Sequence, residues 1–302
     1  MAHQSRNFIG YADNPPHPKW PDDSRIAVNF CINYEEGGER SILEGDRQSE
    51  TRISDVAVAP QIGGRDLNIE HSYEYGSRVG YWRLLKAFTE RGLKATVNLV
   101  GRAGEQNPKA LQAMIDAGFD LHPHGWRWID YSTLDADEEH SHIAKSIDQV
   151  KTLTGEAPLG YYAGLPSLNT IPLVVEAGNF VYVSDVYNDD LPYWSPDHPG
   201  LLMIPYSLDT NDSRFSRDAG GYQVADEFVT YIRDSFDQLY MEGLESPKML
   251  TVGLHARLLG RPGRIVALHR ILDYITAHDR VWICRRDDIA RHWLNHHPDP
   301  RV

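Results

Sequence analysis

Short apolar runs alternate with amphipathic stretches along the whole chain. The runs have the length of buried strands and are bounded by turn residues, whereas the stretches between them repeat apolar residues at helical spacing. The candidate strands are Ile26–Asn33, Ala95–Val100, Phe119–His122, Leu159–Tyr162, Val181–Ser184, Leu202–Pro205, Met249–Leu254 and Val281–Cys284. The candidate helices are Val79–Arg91, Pro108–Ala117, Ala136–Thr154, Ile171–Ala177, Ala225–Met241 and Arg264–His278. This alternation predicts an α/β fold with a mainly parallel sheet.

Local signals support two of these helices. Asp135 is placed to cap the helix that starts at Ala136, with Glu138 three residues on as in a capping box. In the helix from Ala225, an apolar residue recurs at every fourth position, which predicts a face packed on the core: Phe228, Ile232, Phe236 and Tyr240.

No repeat, low-complexity tract or linker divides the chain, so residues 26–302 are predicted to form one domain. Residues 1–25 are rich in proline and aspartate and predict an extended N-terminal arm, which could lie on a neighbouring subunit. Two long insertions, residues 34–78 and 185–224, interrupt the alternation. Loops of this length usually carry a functional site or an oligomer contact.

Composition narrows the possible partners and compartment. The 302 residues include 43 acidic and 30 basic side chains, a formal charge of −13, which disfavours nucleic acid and anionic membranes as partners. The two cysteines, Cys31 and Cys284, both lie in apolar runs and are expected to be buried thiols in a reducing compartment. With no apolar leader or spanning segment in the sequence, we expect a cytoplasmic protein.

Candidate catalytic residues follow the predicted strands. Glu35 and Glu36 come directly after the first strand, His124 follows the third, and His255 follows the seventh. Carboxyl ends of parallel strands converge in α/β folds, so these groups are expected to share one pocket. Adjacent carboxylates titrate as a coupled pair, and an ionised member can take a proton from water while His255 returns one to a leaving nitrogen. This division of roles suits hydrolysis of an amide.

These residues resemble motifs of the polysaccharide deacetylase superfamily, which implies a distorted (β/α) barrel. Asn33-Tyr34-Glu35-Glu36-Gly37 falls on the family's Thr-Phe-Asp-Asp-Gly motif, so the resemblance implies that Glu35 is the general base and Glu36 stands at a metal-ligand position. The family's His-Thr-x-x-His motif falls on His124-Gly125-Trp126-Arg127-Trp128. Trp128 therefore replaces the second histidine, and an indole cannot bind a metal.

The stretches "NYEEGGE", "YEYGSRVGYWRL", "HGWRWIDY", "DLPYW" and "GLHARLLGRPGR" are similar to the bacterial allantoinases that derive from this superfamily. The resemblance implies ring opening of a cyclic amide in purine catabolism, by a homotetramer that requires no cofactor. If a divalent cation such as zinc were bound, Glu36 and His124 would be its ligands. Leu165 stands where the allantoinases typically carry arginine, so a related hydantoin, ureide or cyclic imide is an equally compatible substrate.

Further residues are candidates for binding the substrate. Trp126 and Trp128 could form an aromatic wall for a flat ring, and Arg127 or the Trp126 indole could stabilise an oxyanion. Leu165 and Asn169 belong to the segment that departs from the allantoinase pattern. For the arginines after His255, ion pairing with the acidic insertions is favoured over substrate contact: Arg257, Arg261 and Arg264.

Two other functions are compatible with the same motifs. One is a metal-dependent N-deacetylase of an acetylated sugar, which would need the damaged ligand set to work. The other is a non-catalytic member that kept the fold to bind a small molecule.

Overall fold

The central strand β1 (Ile26–Tyr34) is buried along its whole length and organises the main sheet. In this computed structural model, which describes residues 6–55, 59–178, 180–216 and 220–302, β1 pairs in parallel with β8 (Lys248–His255) along one edge. The other edge pairs with β2 (Thr96–Leu99) near the end of β1 and with β9 (Val281–Cys284) near its start. β3 (Asp120–Pro123) extends the sheet beyond β2. All these pairings are parallel, so the carboxyl ends of β1, β2, β3 and β8 lie at one edge.

A second sheet contains shorter strands. Its order is β4 (Gly160–Tyr161), β5 (Tyr182–Val183), β7 (Leu202–Met203) and β6 (Tyr193–Trp194), with only the β6–β7 pairing antiparallel. The backbone N–H of Tyr162 donates to the carbonyl of Pro123 at 3.1 Å, which joins this sheet to the end of β3. An isolated parallel bridge between Asn211 and Gly253 joins the segment after β7 to β8. The predicted α/β fold with mainly parallel strands is confirmed, and its strands are divided between two sheets.

The helices pack around these strands. They are α1 (Leu67–Tyr75), α2 (Tyr81–Thr89), α3 (Gly101–Gln106), α4 (Pro108–Asp116), α5 (Ala136–Thr154), α6 (Thr170–Ala177), α7 (Ala225–Glu242), α8 (Ala256–Leu259), α9 (Pro262–Thr276) and α10 (Arg286–His296). Asp135 caps α5 by accepting from the N–H of Glu138, as the sequence predicted. On α7, Phe228, Ile232 and Phe236 are fully buried in the main core, which confirms that this face is a packing surface.

Several elements differ from the sequence prediction. The insertion at residues 34–78 contains α1, which runs through a π-helical turn at Gly76–Gly80 into α2. Few apolar residues mark α1, and its main local signal is Asp66, whose carboxylate accepts from the N–H groups of Asn68 and Ile69. The sequence prediction also lacked α3, α8, α10 and β6. β4 and β5 are one residue shorter at each end than their apolar runs, and β7 is two residues shorter at its carboxyl end.

Part of the N-terminal arm packs on its own chain. Trp20 is 2% exposed, contacts the rings of Trp282 and Trp293, and donates from Nε1 to the carbonyl of Lys248 at 3.0 Å. The Tyr11 hydroxyl donates to the Pro192 carbonyl at 2.7 Å. Residues 1–5 of the predicted arm, and residues 56–58 and 217–219 of the two insertions, lie outside the described residues.

Two further sequence expectations concern the thiols and the helices. Cys31 and Cys284 are both free and buried, as predicted. Within the described ranges, the helices are all too short or too polar to cross a lipid bilayer.

Candidate active site

Parallel strand pairing brings the predicted catalytic residues to one place. Glu35 and Glu36 follow β1, and His255 ends β8, where it pairs with Asn33 of β1. His124 follows β3, two strands away on the other side of β1. All four side chains are almost completely buried, with Glu35 1% exposed and His255 3% exposed. The site is therefore enclosed in this conformation.

Glu35 lies between two imidazoles and one guanidinium. Its Oε1 is 3.4 Å from Nε2 of His124 and 3.5 Å from Nε2 of His255. Its Oε2 accepts a hydrogen bond of 2.6 Å from Nη2 of Arg257. One oxygen is thus held by the arginine, while the other faces both histidines.

His255 is oriented from behind by Asp212. Nδ1 of His255 lies 2.6 Å from Oδ1 of Asp212, and the backbone N–H of His255 donates to Oδ2 at 2.8 Å. Asp212 is fully buried in the turn at Asp212–Phe215. Because the carboxylate holds Nδ1, the other ring nitrogen is turned toward Glu35.

The protonation of His255 follows from these neighbours. Burial by itself would lower the pKa of His255, but the negative charges of Glu35 and Asp212, with their hydrogen bonds, raise it to about 9. His255 therefore carries its proton at neutral pH and can serve as an acid.

His124 is fixed by the chain around Tyr162. Its Nδ1 is 2.7 Å from the carbonyl oxygen of Tyr162, and its ring stacks on the Tyr162 ring at 4.9 Å and 2°. Gly164 has φ +75° and approaches so closely that a Cβ there would lie 2.6 Å from Cε1 of His124. The carboxylate of Asp185 accepts from the N–H groups of Ala163 and Gly164, which holds this loop against the imidazole.

Glu36 bonds differently from its neighbour. Its Oε1 accepts from the backbone N–H of Arg257 at 3.2 Å and lies 3.4 Å from Nη1, while its Oε2 accepts from the N–H of Glu35 at 3.1 Å. The sequence predicted that Glu35 and Glu36 titrate as a coupled pair, and their pKa values are shifted in opposite directions. Burial would raise the pKa of Glu35, yet Arg257 and then His255 hold it well below the ordinary range; burial, with the charge of Glu35, raises the pKa of Glu36.

The residues present do not fit the metal site of the family. Glu36 and Trp128 stand at two of the three positions that carry metal ligands in the family. Oε1 of Glu36 faces Arg257, and the ring of Trp128 lies 5.3 Å from the guanidinium carbon of Arg257. Across the described parts of the chain, no group of three or more His, Cys, Asp or Glu side chains is arranged to hold a metal ion. No chemical step is therefore assigned to a metal here.

The predicted substrate-binding residues are spread around this centre. Trp128 is buried against Arg257 and Tyr73. Trp126 lies farther out, with Lys145 5.7 Å from its ring. Leu165 is half-buried against the core, and Asn169 is exposed at the start of α6. Roles for these residues in substrate binding stay predictions.

Arg127 holds a loop. Its guanidinium donates to the carbonyls of Gly38 and Glu39 at 3.1 and 2.8 Å and to Asp46 at 2.6 Å. These bonds fasten residues 38–46 beside the site and engage three of the five N–H donors of Arg127.

Several other polar and charged side chains near the strand ends lie outside the centre. His122 points into a separate buried network, where its Nδ1 is 2.9 Å from Asn98. Asp189 and Asp190 lie on the loop before β6 and line a groove with Tyr206 and Leu239, away from Glu35. Arg261 and Arg264 pair with Asp55 of the first insertion, which confirms the favoured ion-pair interpretation for these two.

Sequence reasoning missed Asp212 and underrated Arg257. The signal for Asp212 is a carboxylate in the "DTNDSRF" loop, but its partner His255 is 43 residues away, so only the fold joins them. Arg257 was interpreted as an ion-pairing residue, and it does form ion pairs, but its partners are the predicted catalytic carboxylates themselves.

Known proteins resemble this chain over its whole length. A family model described as "Polysaccharide deacetylase" matches residues 66–169, a range that contains His124 but begins after Glu35 and Glu36. A protein of Schizosaccharomyces pombe named "Putative polysaccharide deacetylase" is 40% identical over 317 aligned residues, covering 98% of this chain and 99% of that relative.

Two crystal structures have closely similar folds. One is a probable polysaccharide deacetylase from Pseudomonas aeruginosa PAO1, 49% identical with a TM-score of 0.94, and the match covers 97% of this chain and 99% of that one. The other is Puue allantoinase, also 49% identical with a TM-score of 0.94, with 97% and 98% covered.

Proposed function

Because the chain belongs to the polysaccharide deacetylase family of hydrolases, we propose that it hydrolyses the C–N bond of a small cyclic amide, such as allantoin or a related hydantoin, ureide or cyclic imide. The observation that carries the proposal is the enclosed Glu35–His255 pair, 3.5 Å apart, in which Arg257 favours the ionised carboxylate and the charges of Glu35 and Asp212 favour the protonated imidazole. The 49% identity to Puue allantoinase supports the same substrate class.

The proposed reaction uses these two groups in sequence. Glu35 accepts a proton from a water molecule as the water oxygen bonds to a ring carbonyl carbon. The tetrahedral intermediate then collapses, the C–N bond breaks, and His255 donates the proton on Nε2 to the departing ring nitrogen. The product is an open chain with a new carboxylic acid, which releases its proton to solvent, and the proton on Glu35 returns to His255 before the next cycle.

The electrostatics of Glu35 favour an activated substrate. A carboxylate whose pKa is held well below its ordinary range is a weak base, so it assists attack best on a carbonyl that is already electrophilic. The imide-type carbonyls of ureide and imide rings, whose nitrogen is shared with a second carbonyl, are more electrophilic than that of a plain acetamide, and this nitrogen is a better leaving group. The weak basicity of Glu35 therefore favours a cyclic ureide or imide over an acetylated sugar.

The burial of the catalytic side chains also favours a small cyclic substrate. The catalytic side chains are enclosed, whereas a polysaccharide needs an open groove along which several sugar units can lie. A small ring needs only a transient opening, and the dry surroundings then strengthen the interactions of Glu35 and His255 with the reacting atoms. Half-buried Leu165 suits a ring with an apolar edge.

The test is a substrate panel assayed on chelator-treated protein. Allantoin, hydantoin, dihydrouracil, succinimide and a lactam are each followed for ring opening, beside N-acetylglucosamine oligomers followed for acetate release. We expect turnover of at least one cyclic amide and none of the oligomers. Acetate release restored only by added zinc would replace the proposal with the metal-dependent deacetylase, and binding without turnover of any ring would favour the non-catalytic alternative.

A further inference from the structure

Arg257 places a positive charge among the residues that correspond to the metal ligands of the family. Its guanidinium is fully buried and bonds Glu35 at 2.6 Å, with Nη1 3.4 Å from Glu36. It also lies over the rings of Tyr73 and Trp128, with centroids 4.3 and 5.3 Å from its guanidinium carbon. Glu36 and Trp128 are two of the three positions at which the family carries metal ligands.

The backbone fixes this arrangement from both sides. Nε of Arg257 donates to the carbonyl of Ile53 at 2.8 Å, so the first insertion holds the planar group from outside. Its own backbone N–H, in the single turn of α8, donates to Glu36 at 3.2 Å. With its side chain and backbone both tied to neighbours, the guanidinium has a single position in the site.

We propose that Arg257 is the resident cation of this site and that, together with Trp128, it excludes a divalent metal. Two adjacent buried carboxylates need a positive partner, and a planar guanidinium matches both the carboxylate oxygens and an aromatic face. Trp128 stands where the family has a histidine ligand, so one metal ligand is missing, and its ring stacks on the guanidinium of Arg257. The two residues therefore act as a pair, in which each is useful only because the other is present.

This inference concerns which cation the site accepts, and it stands apart from the substrate. Metal binding can be measured with no knowledge of the reaction, by titrating chelator-treated protein with Co²⁺ and recording its visible absorption and stoichiometry. A failed substrate panel would leave the metal result unaffected.

Four variants separate the two contributions. Trp128→His restores the missing ligand but keeps the arginine, Arg257→Ala removes the cation, and the double variant does both. Arg261→Ala is the matched control, because Arg261 pairs with Asp55 outside the centre. We expect no bound Co²⁺ in the wild type, in Trp128→His or in Arg261→Ala, and about one equivalent in the double variant, which a further Glu36→Gln change abolishes.

Defined results would overturn the inference. Trp128→His binding Co²⁺ as tightly as the double variant would show that Arg257 is no barrier. A folded double variant without Co²⁺ binding would show that the cation does not occupy a metal position. If variants lacking Arg257 do not fold, the remaining proteins decide. One equivalent of Co²⁺ bound by the wild type and lost in Glu36→Gln would contradict the proposal. No Co²⁺ bound by the wild type or by Trp128→His would support it.

Discussion

Asp212 holds His255 through two hydrogen bonds, 2.6 Å from its Oδ1 to the ring Nδ1 and 2.8 Å from its Oδ2 to the backbone N–H. The same carboxylate thus sets both the position of the residue and the orientation of its ring. It also supplies negative charge that keeps the imidazole protonated. Asp212 is therefore a positioning residue for the proposed acid.

The first prediction concerns the pH dependence of activity. Since the charge of Asp212 contributes to the raised pKa of His255, wild-type activity should fall above about pH 9, and Asp212→Asn should move that fall to lower pH. Near neutral pH, the activity of Asp212→Asn should be lower than that of the wild type by about 10²-fold or more, as for loss of a general acid. The measurement is a pH–rate profile on the best substrate of the panel.

Asp209→Asn is the control for that profile, because Asp209 lies in the same loop but bonds to Ser207 and Tyr231. It should keep the wild-type alkaline limb. If the alkaline limb of the Asp212→Asn profile were unchanged, the contact between Asp212 and His255 would not set the pKa of the general acid.

A second prediction tests the proposed base. Glu35→Gln keeps the size of the side chain and can still accept from Arg257, but it cannot take a proton from water, so turnover should fall about 10²–10⁴-fold. Glu44→Gln, which alters only a surface ion pair with Arg102, should leave turnover unchanged. Circular dichroism of both variants checks the fold, and near-normal turnover in Glu35→Gln would assign the base elsewhere.

A third prediction links His255 to stability. Folding raises its pKa from about 6.5 to about 9, so the folded state binds the proton more tightly than the unfolded chain. This contribution is complete below about pH 6.5 and is lost as the pH rises through about 9. Urea midpoints measured across this range should fall more in the wild type than in His255→Gln. The exposed His71→Gln control should follow the wild type.

A fourth prediction concerns the π-helical turn. Gly80 packs directly on the backbone of α8, and a Cβ there would overlap the carbonyl oxygen of Ala256. Gly80→Ala should cost about 1–3 kcal/mol of unfolding free energy, the usual range for overpacking, and lower activity by displacing the turn that carries Arg257.

Gly263→Ala is its matched control, since a Cβ at this helical position meets nothing within 4 Å. It should be neutral or stabilising by about 0.4–1 kcal/mol. Equal urea midpoints for the two variants would contradict the close-packing argument.

The sequence predicted the strands that carry the site because each is a continuous apolar run followed by polar residues. The sequence alone therefore predicted that Glu35, Glu36, His124 and His255 lie together. It could not predict Asp212, whose loop has no regular pattern and whose partner is distant in sequence. The helix α1 was missed for a related reason: its burial depends on packing near the site, with Ile69, Ser72 and Tyr73 as its buried residues, and only a weak periodicity marks it.

Arg127 has contacts that the sequence did not predict. A role for it as an oxyanion donor stays a prediction, and the structure adds that its Nε and Nη2 bind the loop at residues 38–46. Sequence gives the type of a side chain and its approximate position, whereas its hydrogen-bond partners depend on how distant loops fold over it.

Strand β1 pairs with three other strands and ends at the two carboxylates of the site. A substitution in this strand that shifts its register would move the reactive groups as well as the core, so the strand has little evolutionary freedom. Most residues in the loops that cover the strand ends do not have to maintain both the core packing and the position of the reactive groups. Divergence toward new substrates within this scaffold is therefore expected to accumulate in residues 34–78 and 185–224 other than Glu35, Glu36 and Asp212, while strand β1 is retained.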